Sequence, residues 1–135
     1  MDQMASFHGQ KGQALLFDCR SLAIECIPVP QDSYVFLVVN SKIKHEHAGG
    51  EYVVRRKSCE QVASLLGKTS LRDISMRELE SCQNSLPEDL YRIARHVLTE
   101  NERTQNAAEA LKRGEISILG ALMTQVSGSS IATLL

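Results

Sequence analysis

The sequence is short of several things, and each shortage closes a class of function. Charge of one sign is missing: 15 basic residues stand against 16 acidic ones, for a formal net charge of −1. So weak a field does not draw a chain to nucleic acid or to an anionic membrane surface, and neither partner is expected. Cysteine pairing is missing too. Cys19, Cys26, Cys59 and Cys82 form no CxxC motif. No metal-ligand spacing results, and four scattered thiols among apolar or helix-forming neighbours fit packing in a reducing compartment, so a cytoplasmic location is expected. Long apolar runs are absent: the longest, Val35 to Val39, falls far below the roughly 20 residues that span a bilayer. The N-terminus lacks the basic segment and apolar core of a secretory signal. There is no internal repeat, and the only biased segment is the uncharged tail SGSSIATLL at 127–135.

What is present is enough for one domain, since a chain of 135 residues buries about two-thirds of its unfolded surface. Three short stretches rich in aliphatic and β-branched residues, Ala14 to Cys19, Leu22 to Ile27 and Tyr34 to Asn40, read as strands. Arg20-Ser21 and the loop from Pro28 to Ser33 separate them. Beyond a charged link from Ser41 to Gly50 the apolar period becomes helical. Tyr52, Cys59, Val62, Ala63 and Leu66 form one stripe that Gly67 should end. Ser75 and Glu78 have the spacing of a capping box for a short helix to about Cys82. Pro87 opens a helix with Leu90, Ile93, Ala94, Val97 and Leu98 on one face, continuing through Thr104, Ala108 and Leu111 to Gly114. A last helix carries Leu119, Leu122, Met123 and Val126, and the tail after it is expected to fray. Sheet first and helices after is an α+β arrangement.

Several residues could carry chemistry. Asp2 precedes a polar turn at His8 to Gly12 and then the first strand; held near the end of a small sheet, it could serve as a base or cap a helix. Gly67-Lys68-Thr69 has the ending of a phosphate loop but not its spacing, because the first glycine of that motif would fall on Val62 and a helix precedes it where a strand is required. His45 and His47 flank Glu46 in the charged link, a pair with no third metal ligand. His8 and His96 have no assignable partner. Glu51-Tyr52 with Arg55-Arg56 opens the first long helix, with Tyr52 as the first residue of the buried stripe and the arginines as a solvated face. A tyrosine there can also bury its ring while its hydroxyl meets a ligand.

Met1-Asp2-Gln3, the glycine turn with LLFDCRSL after it, GGEYVVRR at 49–56, SLRDIS, and RIARHVLTENERTQNAAEALKRGEISILGALM are ordered and collinear in this chain. From Met1 to about Thr124 the sequence resembles galactokinases of the GHMP kinase superfamily. The resemblance implies a partial GHMP-kinase fold, a short β-sheet segment followed by a helical region. It divides the chain into residues 1–41 from the end of the N-terminal kinase domain, 42–126 as a helical link towards the C-terminal domain, and a divergent tail at 127–135. It implies transfer of the ATP γ-phosphate to the C1 hydroxyl of galactose with Mg²⁺ on the phosphates. Asp2 would be catalytic and touch the sugar, and the Tyr52 hydroxyl would bind galactose.

Other parts of the family pattern have no counterpart in these residues. They are the sugar-contacting signature region, the arginine that works with the catalytic aspartate, the glycine- and serine-rich phosphate loop, and the glycine-rich motif near the C-terminus. The chain is therefore expected to be an internal or truncated piece that is inactive as a kinase alone. The alternative is a non-catalytic relative that senses sugar or binds a partner.

Overall fold

The computed structural model describes residues 2–30, 34, 37 and 51–134, with side chains over 3–30, 34, 37 and 52–125. Helix α1 (Asp2–His8) is followed by strands β1 (Gln13–Phe17) and β2 (Ile24–Pro28) and by helix α2 (Glu51–Leu65). Then come a 3₁₀ turn at Leu71–Asp73, helix α3 (Met76–Ser81), a second 3₁₀ turn at Gln83–Ser85, and the helices α4 (Glu88–Lys112) and α5 (Ile116–Leu134). The class is the mixed, mainly helical one expected, with a small sheet. The chain divides into two compact units, Met1–Ser41 with Thr104–Met123, and Lys42–Arg103 with Thr124–Leu135.

In the first unit, α1 was not foreseen. The acid, turn and strand read from the sequence have two helical turns between the acid and the turn. Gly9 closes α1 by donating to the Ala5 carbonyl at 2.8 Å, where a Cβ would stand 2.5 Å from that same oxygen. Gly12, at φ 76°, completes the turn, and its carbonyl accepts from Val29 N at 2.8 Å. The strands pair antiparallel, with Ala14 opposite Ile27 and Phe17 opposite Ile24. Both are shorter at the hairpin tip than expected because Asp18 turns the chain early. Its Oδ1 accepts from Arg20 N at 2.7 Å and Ser21 N at 3.2 Å, and Leu22 is left at φ 60°. The DCRS segment is therefore a hairpin tip. Cys19 and Cys26, expected to pack, are exposed. Ile27, Ala108, Ala110 and Leu119 are the buried apolar residues of this unit among those described, and Lys112 Nζ meets Glu25 Oε1 at 2.9 Å, tying the end of α4 to β2.

The second unit has the larger core. Val62 and Ala63 of α2, Leu71, Ile74, Leu79 of α3, and Leu90, Ala94 and Leu98 of α4 are buried together, with Cys59, Leu66, Met76, Leu86, Tyr91 and Val97 packed at the edge. Gly67 ends α2 at φ 67°, with Lys68 N donating to Ala63 O at 2.8 Å and Gly67 N to Ser64 O at 3.0 Å, the paired closure of a Schellman motif. Gly114 repeats it at the end of α4, with Glu115 N on Ala110 O and Gly114 N on Leu111 O. The capping box forms as read: Ser75 Oγ accepts from Glu78 N, and Glu78 Oε2 accepts from Ser75 N at 2.8 Å.

Four expectations fail or fall outside the described residues. Tyr52 is not part of the buried stripe but 76% exposed, because the layers that cover α2 begin only at Cys59. The tail does not fray in its backbone: α5 runs to Leu134. Of the third expected strand only Tyr34 and Leu37 are among the described residues, in no strand and exposed. The rest of it, and the link with His45, Glu46 and His47, lie outside them.

Candidate functional site

Asp2 is the first residue of α1. At a helix start the first backbone N–H groups have no intrahelical acceptor, and the macrodipole favours a carboxylate. Its side chain lies outside the described residues. Behind it, the Gly9 closure and the Gly12 turn lead from α1 into the start of β1. Along α1, the ring of Phe7 meets His8 edge-on at a centroid distance of 5.0 Å. At the start of β1 the Gln13 Oε1 is buried without a hydrogen-bond partner among the described residues.

Tyr52 is the second residue of α2 and belongs to the second unit, whereas Asp2 belongs to the first. Its exposure leaves the phenol open along its length. Arg56 beside it bonds Glu60 at 2.9 Å, and that hydrogen bond holds its guanidinium above the usual range. His96 on α4 is half-buried. Burial first, then the charges of Arg55 and Arg103, push its imidazole below 6.5, so the ring favours its neutral form. Arg103 is itself bonded to Glu100.

The Gly67-Lys68-Thr69 sequence closes a helix and makes no phosphate cradle. Lys68 Nζ lies 3.1 Å from Glu78 Oε1, and Val62, where the motif needs glycine, is in the core. Among the described residues no group of three or more His, Cys, Asp or Glu side chains could hold a metal ion. No helix among them is long and apolar enough to cross a membrane.

The comparisons agree with this architecture. No family model matches the chain. A galactokinase of Homo sapiens is 46% identical over 125 residues, covering 93% of this chain and 32% of that protein. A galactokinase of Bos taurus is 42% identical over the same length, and one of Mannheimia succiniciproducens is 44% identical over 128 residues, 33% of its length. The structure of Lactococcus lactis galactokinase complexed with galactose superposes with a TM-score of 0.77 at 27% identity, over 89% of this chain and 32% of that one. The fold is that of part of a galactokinase, the GHMP kinase fold. Within it the relatives are galactokinases, and the chain is their homologue over nearly its whole length while spanning about a third of theirs.

Proposed function

We propose that the chain carries part of the machinery of a galactokinase-type phosphotransferase, which moves the ATP γ-phosphate to the C1 hydroxyl of galactose in the cytoplasm. The observation that carries this reading is the collinear match with galactokinases at 42–46% identity over 93% of the chain. Asp2 is the group that takes or orients the proton of the sugar hydroxyl. Its place at a helix start supports the role, since the macrodipole there favours a carboxylate and a positioned base contributes about 10²- to 10⁴-fold. Tyr52 is the sugar contact, and its exposed phenol supports that. ATP and Mg²⁺ supply the phosphoryl group and its charge neutralisation in this chemistry. The glycine- and serine-rich loop that holds them in the family pattern is not read in this sequence.

Two measurements test this division. The chain of 135 residues alone should consume no ATP in response to galactose; turnover above a blank would show that it binds nucleotide by a segment without the familiar loop. In a chimera of the human relative whose aligned third is replaced by this chain, Tyr52→Phe should weaken galactose binding by about 0.5–1.5 kcal/mol, the worth of one neutral hydrogen bond. Unchanged binding would remove Tyr52 from the site.

A second reading, a non-catalytic partner- or sugar-binding protein, draws on one observation. The residues present include Asp2 and Tyr52 but not the phosphate loop. Galactose binding by the isolated chain, with no turnover, is the result that would favour it.

A further inference from the structure

Of all the serines and threonines in the sequence, only Ser58 has a basic residue at each of the three preceding positions, in the run Arg55-Arg56-Lys57-Ser58. Ser75 has Arg72 three residues before it, but Asp73 stands between them and the capping box engages its hydroxyl. The Ser58 run lies in the second turn of α2, where the fold has little hold. Tyr52 to Lys57 are all exposed and Ser58 is half-buried. Among the described residues the core begins beyond them, with Cys59 at its edge and Val62 and Ala63 inside it. The first two turns can therefore open without exposing buried apolar surface. What opening gives up is helix hydrogen bonds, the exposed Arg56–Glu60 pair and the bond that the Ser58 hydroxyl donates to the Val54 carbonyl at 3.1 Å. An exposed ion pair is worth little, and turns without buried contacts open at the lowest free energies in a fold.

We propose that Ser58 is a phosphoacceptor for a protein kinase that reads basic residues before its target serine, reached by local opening of the first two turns of α2. Arginine suits such reading, because its planar fork pairs with carboxylates through two parallel bonds, and charge patterns of this kind let kinases tell one serine from another. In the transfer, the bond between the γ-phosphorus of ATP and its bridging oxygen breaks and the bond from Ser58 Oγ to phosphorus forms. The hydroxyl proton passes to the kinase's base, and ADP leaves. The product places a charge of about −1.5 to −2 on α2. Arg55, three residues back and so a surface neighbour on the helix, can pair with it. The site stands independently of the galactokinase reading.

The whole chain is incubated with ATP and the catalytic subunit of cyclic-AMP-dependent protein kinase, a probe that takes arginines two and three residues before its serine, and peptide mapping places the phosphate. Ser58 should carry it, and Ser58→Ala should abolish it there. Arg55→Ala together with Arg56→Ala, both at exposed positions, should lower kcat/KM by roughly tenfold or more, as expected for lost charge-assisted hydrogen bonds. Loosening of the helix by the lost Glu60 pair would act in the opposite direction, so a fall reports recognition. Val54→Pro breaks the helix ahead of Ser58 and should speed the modification by roughly tenfold or more. Should that variant unfold the chain by circular dichroism, Val54→Gly makes the same comparison with a gain of about twofold. Phosphate absent from Ser58, a rate indifferent to the two arginines, or a rate indifferent to the helix-loosening substitution overturns the proposal. No sugar enters the assay, so its failure leaves the galactokinase reading untouched.

Discussion

At the scale of single residues, the strain and the caps are concrete enough to test. Leu22 sits at φ 60°, a region that costs a non-glycine residue roughly 1–2 kcal/mol, and its side chain is exposed. Leu22→Gly should therefore raise unfolding stability by about 0.5–1 kcal/mol once glycine's greater unfolded-state freedom is set against the relief. A loss in urea unfolding would show that the leucine side chain is held by something at the hairpin tip. Glu78 behaves differently. The Ser75 backbone N–H, the Ser75 hydroxyl and Lys68 lower its carboxyl from the ordinary 4.5 to about 2. A lowered carboxylate contributes stability above its unfolded value, and that contribution is lost as pH falls from about 4.5 through about 2. Glu78→Gln should flatten the pH dependence of stability in that window, and an unchanged slope would mean that the capping box does not persist in solution. Tyr52 shows where the sequence misleads at this scale. Its spacing from Cys59 puts it on the packed face of α2, but periodicity gives a direction and not the extent of the neighbouring layer, and among the described residues the buried core does not extend to the first turn.

At the scale of elements, what was legible was what local chemistry decides. The Ser75–Glu78 box, the stops at Gly67 and Gly114 and the stripe from Leu90 to Leu98 need only a few adjacent residues; the box and stops form as read, and Leu90, Ala94, Val97 and Leu98 of the stripe pack in the core while Ile93 does not join it. Helix α1 was hidden because seven residues give too short a window for a helical period, and because the glycine that ends it reads equally as a turn. The tail was misjudged for the opposite reason. It has no charge and no cap, but serine and alanine tolerate helix, and α5 continues through it. The three-helix core around Leu79 makes its own forecast. Leu79 is wholly buried, so Leu79→Ala should cost about 2–5 kcal/mol, read as a fall in the denaturation midpoint. A cost under about 1 kcal/mol would mean that α3 docks loosely. Within the same unit His96 favours its neutral form through burial and the nearby Arg55 and Arg103. A depressed imidazole contributes stability above its unfolded value, here 6.5, which is lost as pH falls through that value. His96→Gln should remove the acid-side decline that begins there, and its persistence would assign it to other groups.

At the scale of the whole molecule, the kinship was legible because it lies in long ordered segments, whereas the placement of Asp2 at a helix start and the openness of Tyr52 needed the structure. The two residues stand in different units, and the joint role proposed for them belongs to a full-length kinase. The most direct measurement is therefore galactose-dependent turnover of the chimera in which this chain replaces the aligned third of the human relative, compared with the same chimera carrying Asp2→Asn. Turnover in the first, with kcat reduced about 10²- to 10⁴-fold in the second while galactose still binds, is the result expected of a positioned base. Turnover that survives Asp2→Asn undiminished would contradict the account.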